Sequence, residues 1–441
     1  MLELVENVIT VGEVKAGHRH KARLGGAYDT GVRAARVVHR SVVTVSDVNE
    51  VPGELHPRGW TDYATLADVL PAIDDAFDRS PSSALPIPTS RDVVLLLIDG
   101  LGDQLLERHA EDAPTLTSLR AATIRAGFPA TTATSVTSLM AGTQCGMHGI
   151  IGYSFRPEED SDFRRKPRTL NALRWTFDTS DGDSALNRYV PERIQPLDGV
   201  LGDMAARGVE VTYVMPGAYR GSGFSRAAFH VEGTYLDATT PAQIKSGVAV
   251  ALGPRTPRHR LVYAYWPDLD MAGHMFGPGS PQWVTTLGEV DRLVADLASA
   301  LPRDATLVVT GDHGMIQADN RIDIDTADGM LDGVAAIAGE MRVRHVYTRT
   351  GARDAVLAAW SALVGDHAHI VAKERVLDEN WFGPSVTDVV AERVGDVVAV
   401  ARDTTILTRT LTDPTPEVDM PGHHGAWTLD EQLVPLLIQK G

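Results

Sequence analysis

A single cysteine, Cys145, stands among 441 residues. No intrachain disulfide can form, and a four-thiolate zinc site is excluded by counting. Any metal must therefore sit on imidazole, carboxylate or hydroxyl ligands. Positive charge is also scarce: 41 Lys and Arg against 58 Asp and Glu leave a net charge of −17. Such a surface repels phosphate backbones, so no nucleic-acid polymer is expected as a partner without a concentrated basic groove. The one basic stretch, His18 to Arg40, lies near the N-terminus. Long apolar runs are missing as well. The longest, Val93 to Ile98, is far too short to cross a bilayer, and no membrane association is expected. The first fifteen residues carry Glu3 and Glu6 and lack a basic stretch followed by an apolar one, unlike a secretory leader. The cytoplasm is the expected compartment. With 43% hydrophobic and 22% charged residues, collagen-like, low-complexity and largely disordered chains are ruled out.

What is present has a clear order. Residues 1–60 are rich in Gly, Arg and His without a sustained period, and read as a poorly ordered N-terminal extension. Tyr63 to Phe77 has helical spacing interrupted by Pro71, and Pro81, Pro86 and Pro88 mark a linker. Val93–Ile98 is then apolar on both faces and runs directly into Asp99-Gly100. That is the signature of a central parallel strand buried between helix layers. Similar strands are predicted at Val209–Met215, Arg260–Trp266 and Ala305–Thr310, separated by helix-length segments. The alternation predicts an α/β fold with a mostly parallel sheet, whose ligands gather beyond the carboxyl ends of the strands.

Polar residues collect at those ends. Asp99 follows the first strand, Asp270 and His274 follow the third, and Asp312-His313 follow the fourth. Gly422-His-His-Gly425 precedes a last apolar segment, and the hydroxyl-dense turn Phe128 to Ser135 leads into a helix-like stretch. Each piece alone is ordinary: a turn, a cap, an i, i+4 pair. Together, three carboxylates converging on one sheet edge would repel unless cations compensate them. Three carboxylates and three imidazoles suit two divalent ions with open positions for substrate.

These segments resemble the alkaline phosphatase superfamily, and within it the nucleotide pyrophosphatase/phosphodiesterase family. The resemblance rests on IDGLG at 98–102, FPATTATSVTSLMAG at 128–142, DMAGHMFGP at 270–278, TGDHGM at 310–315 and GHHG at 422–425. It implies a three-layer α/β sandwich with a mostly parallel central sheet and a small inserted α+β cap. Residues 61–324 and 396–441 would form the catalytic domain and 325–395 the cap. It further implies that Asp99, Asp312 and His313 hold one metal, and Asp270, His274 and His424 the other, with His423 the variable position. Thr132, three residues after Pro129 at a helix N-terminus, would be both nucleophile and metal ligand, with Thr131 as the alternative. Ser135 stands where the family often has an Asn that contacts phosphate, and is the expected substrate contact. The donor set favours Zn²⁺, with Mn²⁺ or Fe also suited.

The resemblance implies hydrolysis of phosphodiester or nucleotide pyrophosphate bonds through a phosphothreonine, on a small-molecule phosphate ester or nucleotide. Two other readings remain open at this point: a phosphomonoesterase or phosphonate hydrolase on the same metal frame, and a non-catalytic metal- or nucleotide-binding protein. The last predicts a missing ligand or nucleophile, and all seven positions are filled. The Arg-rich stretch from Ser154 to Val200, with Phe155, Arg156, Arg164, Arg165, Arg168 and Trp175, reads as a solvated loop or as a phosphate and base contact. Trp381-Phe382-Gly383 reads as a contact with the core or with substrate, and core packing is the expectation.

Overall fold

The computed structural model describes residues 64–78, 85–157, 168–177, 183–413 and 415–441. The expected N-terminal extension, Pro81 of the linker, Arg164 and Arg165 lie outside these described residues.

The central sheet grows outward from β1, Asp92–Ile98. All seven of its residues are buried, and their side chains divide by parity. Val93, Leu95 and Leu97 enter one apolar cluster, while Val94, Leu96 and Ile98 enter another on the opposite face. An uninterrupted apolar run is what a strand covered on both faces needs. The other strands of this sheet are β2 (Arg120–Arg125), β3 (Glu210–Met215), β4 (Thr234–Asp237), β5 (Arg260–Trp266), β6 (Ala305–Gly311) and, at the C-terminus, Leu433–Lys440. Their spatial order is β2, Leu433–Lys440, β6, β1, β5, β3, β4. Leu433–Lys440 is antiparallel to both neighbours, and the remaining strands run one way. The mostly parallel sheet inferred from the apolar runs is therefore present.

Register sets up the functional edge. Ile98 lies opposite Trp266 on one side and Gly311 on the other. Three adjacent strands thus end level, and the chain leaves all three at the same edge. At the opposite edge Arg260 makes a two-pronged ion pair with Asp92, at 2.9 and 2.7 Å. Both side chains are buried, and the guanidinium also donates to the Ala251 and Gly253 carbonyls.

A second, four-stranded antiparallel sheet is formed by β7 (Val334–Glu340), β8 (Val343–Thr348), β9 (Ala368–Ala372) and β10 (Val397–Ala401), ordered β7, β8, β10, β9. It extends past residue 395. The helix Arg353–Val364 packs on it through Val356, Trp360 and Val364. β9 ends at Ala372 and a helix runs Lys373–Asp378, because Lys373, Glu374 and Arg375 break the strand period and are good helix formers. Among the described residues no helix is long and apolar enough to cross a membrane.

Candidate active site

The residues singled out at the strand ends meet at one edge of the sheet. Asp99 is the first residue after β1, and its N–H donates to the Trp266 carbonyl of β5 at 3.0 Å. Asp312 and His313 directly follow β6. Asp270 and His274 lie four apart on α1 (Asp268–Phe276), the helix after β5, and so share one face. His424 follows a two-residue strand, Gly422–His423, that pairs with Ile316–Gln317 just downstream of His313. Close backbone approach makes glycine necessary in two places. A Cβ on Gly100 would lie 2.9 Å from Asp270 Cα, and one on Gly422 would lie 2.3 Å from the Gly273 carbonyl.

The ligand-type atoms form one continuous group. Asp99, Asp312 and His313 offer atoms within 4.8 Å of one another, and so do Asp270, His313 and His424. His274 adjoins the second set, with Nε2 3.2 Å from Asp270 Oδ2. His313 Nε2 lies 3.4 Å from both Asp99 Oδ1 and Asp312 Oδ2. The His313 and His424 rings stack with centroids 3.5 Å apart, joining the two halves.

The hydrogen bonds at the back of each imidazole fix what its front presents. His274 Nδ1 bonds the Gly422 carbonyl at 2.8 Å, His313 Nδ1 that of Gly314 at 3.0 Å, and His424 Nδ1 that of Ala130 at 2.9 Å. A carbonyl only accepts, so Nδ1 carries the proton in all three and each neutral ring presents an Nε2 lone pair. Those lone pairs face carboxylate oxygens. Asp99 Oδ1, Asp270 Oδ1 and Asp312 Oδ2 are buried without a hydrogen-bond partner. Lone pairs facing lone pairs in a buried site are costly unless a cation lies between them. Burial, together with the charges of Asp312 and Asp270, pushes the Asp99 carboxyl well above the usual range. Burial opposes charge on His274, yet Asp270 carries it up to about 9, so without a metal ion a proton on Nε2 is the cation between His274 and Asp270. Burial and the neighbouring His313 hold His424 well below its ordinary value. The donor set and its orphaned oxygens fit divalent ions.

His423 is turned away from this group. Its Nε2 bonds the Met420 carbonyl at 2.9 Å. Thr132 opens α2 (Thr132–Ala141), with Thr131 as N-cap, and its Oγ1 lies 3.2 Å from His313 Nε2. Thr131 is buried at 2% exposure, and it is the Thr132 hydroxyl that contacts His313 of the cluster. Ser135 is completely buried, and its Oγ has no hydrogen-bond partner and no solvent contact.

The Arg-rich stretch divides. Phe155 and Trp175 join a core cluster, with Trp175 Nε1 donating to the Tyr189 carbonyl at 2.6 Å. Arg156 and Arg168 lie over the rings of Tyr347 and Phe177. Trp381 and Phe382 also pack in the core, against Phe128.

Two residues near the site carried no readable sequence signal. Tyr265 of β5 donates its hydroxyl to Asp99 Oδ2, a contact that only strand register predicts. Glu340, the last residue of β7, accepts the Tyr153 N–H at 3.0 Å, while a Cβ on Gly425 would lie 3.0 Å from its Oε1. Burial pushes the Glu340 carboxyl up to about 8. An unfolded glutamate titrates near ~4.3, so between those values the folded protein holds the extra proton. Glu340 therefore favours the fold at low pH, and that contribution falls as pH rises to about 8, by at most about 1.4 kcal/mol per pH unit. Glu340→Gln keeps the acceptor and removes the titration. Its melting temperature should gain on wild type between pH 5.5 and 8.5; parallel profiles would refute the assignment.

Comparison with known proteins agrees with the fold. Mouse ectonucleotide pyrophosphatase/phosphodiesterase 5 superposes with a TM-score of 0.58 at 18% identity, covering 79% of this chain and 87% of that one. Phosphonoacetate hydrolase from Sinorhizobium meliloti gives 0.57 at 16% identity, covering 80% and 91%. In sequence, an uncharacterised pyrophosphatase/phosphodiesterase of Schizosaccharomyces pombe is 36% identical over 75 residues, 16% of each chain. The mouse bis(5'-adenosyl)-triphosphatase is 31% identical over 117 residues, 23% of this chain and 26% of the relative. The matched stretches thus span about a quarter or less of these relatives' length. The family model for type I phosphodiesterase/nucleotide pyrophosphatase covers far more, residues 93–427. Since that match runs from the strand that delivers Asp99 to beyond the loop that delivers His424, the chain belongs to the type I phosphodiesterase/nucleotide pyrophosphatase family.

Proposed function

We propose that this chain hydrolyses phosphodiester or nucleotide pyrophosphate bonds in small molecules through a phosphothreonine on Thr132. The observation that carries the reading is the convergence of three Nε2 lone pairs and three orphaned carboxylate oxygens beside the Thr132 hydroxyl. Asp99, Asp312 and His313 would hold one divalent ion with Thr132 Oγ, and Asp270, His274 and His424 a second. Zn²⁺ suits this donor set, and Mn²⁺ or Fe would be accepted. Such ions lower the pKa of a coordinated hydroxyl and offset charge that develops on attacking and leaving oxygens.

The protein's own part is positioning. The first turn of α2 aims its N–H groups and positive dipole end at the phosphoryl group. Thr132 Oγ forms a bond to phosphorus as the ester bond breaks, and the alcohol or phosphate leaves on the Asp270 side. Water then cleaves the phosphothreonine and restores the hydroxyl. The four-stranded sheet and its helix, starting in the 325–395 segment, would cap the site.

The test measures metal content with turnover of bis-p-nitrophenyl phosphate and p-nitrophenyl phosphate. We expect two ions per chain, faster diester cleavage, and loss of activity on chelation. His424→Ala should lose one ion, and His423→Ala should keep both. Faster monoester cleavage would move the reading to a phosphomonoesterase. No metal and no turnover after Zn²⁺ or Mn²⁺ addition would overturn it.

A further inference from the structure

We propose that Tyr265 is the positioning residue for the metal site of Asp99, holding that carboxylate so that one oxygen alone faces the ion. This inference rests on the metal reading above and adds a residue to it.

The argument starts from register. Tyr265 stands opposite Leu97 in the parallel pairing of β5 with β1. Side chains alternate along a strand, so Leu97 and Asp99 share a face. Tyr265 lies on that face, one strand over, within reach of the carboxylate beyond the strand end. Its hydroxyl donates to Asp99 Oδ2. The other oxygen, Oδ1, is buried without a hydrogen-bond partner and lies 3.4 Å from His313 Nε2. The two oxygens are thus differentiated, one bound from behind and one left for the cluster.

A carboxylate needs such a hold. Rotation about its terminal torsion is broad and nearly two-fold, so an unheld Asp99 would exchange its oxygens and spend ligand affinity on ordering. Asp312 has its own anchors, since its Oδ1 accepts the N–H groups of Gly100 and His313, both at 3.1 Å. For the Asp99 carboxylate the Tyr265 hydroxyl is the hydrogen-bond donor among the described residues. The Tyr265 ring is itself steadied by the Tyr219 ring, edge-on at 6.0 Å. Removing an outer hydrogen bond of this kind costs about 10–100-fold in metal affinity.

The experiment is a Zn²⁺ titration in competition with a chromophoric chelator, on wild type, Tyr265→Phe and Tyr213→Phe. Tyr213 donates its hydroxyl to the Val231 carbonyl at 3.0 Å, away from the site, and controls for loss of any buried tyrosine hydroxyl. Tyr265→Phe should weaken one of the two binding events about 10–100-fold and leave the other in place. Circular dichroism of the metal-free protein should not change. Its diesterase activity should need more added Zn²⁺ and recover as the ion saturates, which a general structural defect would not do. Wild-type affinity at both events in Tyr265→Phe, or an equal loss in Tyr213→Phe, would overturn the role while leaving the metal reading intact. Absence of Zn²⁺ uptake by wild type would overturn both.

Discussion

Thr132→Ala should cut turnover of bis-p-nitrophenyl phosphate by about 10³-fold or more while the purified protein keeps its metal. A covalent mechanism divides one difficult displacement into two easier ones, and without the nucleophile neither remains available. What survives is the contribution of binding and electrostatics, which in hydrolases that lose their nucleophile is a small residue of the original rate. Metal retention follows from the ligand set: six carboxylate and imidazole side chains remain when the hydroxyl is gone. Thr131→Ala is the comparison that makes the result specific. Thr131 is buried and serves as N-cap of α2, with no side-chain cap hydrogen bond, so its removal should leave activity within about tenfold. If Thr131→Ala were inactive and Thr132→Ala active, the nucleophile would move by one residue. Equal activity in both variants would remove the phosphothreonine from the mechanism.

The parts of this molecule that could be read in advance are those built from local pattern. β1 announced itself because burial on both faces demands a continuous apolar run, and the polar residue that ends the run is by that fact at the sheet edge. Asp99, Asp312 and the Asp270–His274 pair were legible for this reason. β4 and β7 were not: Thr234–Asp237 is short and largely exposed, and VAAIAGE offers too little hydrophobic contrast for a period of two. Tyr265 was hidden differently. Its sequence neighbours describe only a buried strand, and its partner becomes visible once β5 is laid beside β1 in register. Ser135 shows the converse limit. The family resemblance suggested a substrate contact there, but local pattern alone does not show that the Ser135 Oγ is completely buried and without a hydrogen-bond partner. Long-range polar pairs left no trace in the sequence at all.

The largest of those pairs carries the second prediction. Breaking the Arg342–Glu431 contact should destabilise the fold by about 3–5 kcal/mol. Both side chains are fully buried and joined by two parallel bonds of 2.8 and 2.7 Å. Further hydrogen bonds support both partners. Glu431 accepts the Ala426 N–H and the Thr428 hydroxyl, and Arg342 donates to the Thr405 and Arg402 carbonyls. The pair ties the residue before β8 to the turn that follows His424, so it joins the second sheet to the loop bearing a proposed ligand. Glu431→Gln leaves a buried guanidinium uncompensated, and Arg342→Met leaves a buried carboxylate in the same state. For a chain of 441 residues, unfolding entropy scaled per residue converts that loss to about 3–5 °C in Tm. The double variant Arg342→Met with Glu431→Gln distinguishes a broken charge pair from damaged packing. With both charges gone, no uncompensated ion remains, so the double variant should lose clearly less than the two single losses added together. Additive losses would mean that the two side chains act independently, as packing volume and not as a pair. The metal count should hold in the double variant, because His424 keeps its Nδ1 bond to the Ala130 carbonyl, a contact that involves neither Arg342 nor Glu431.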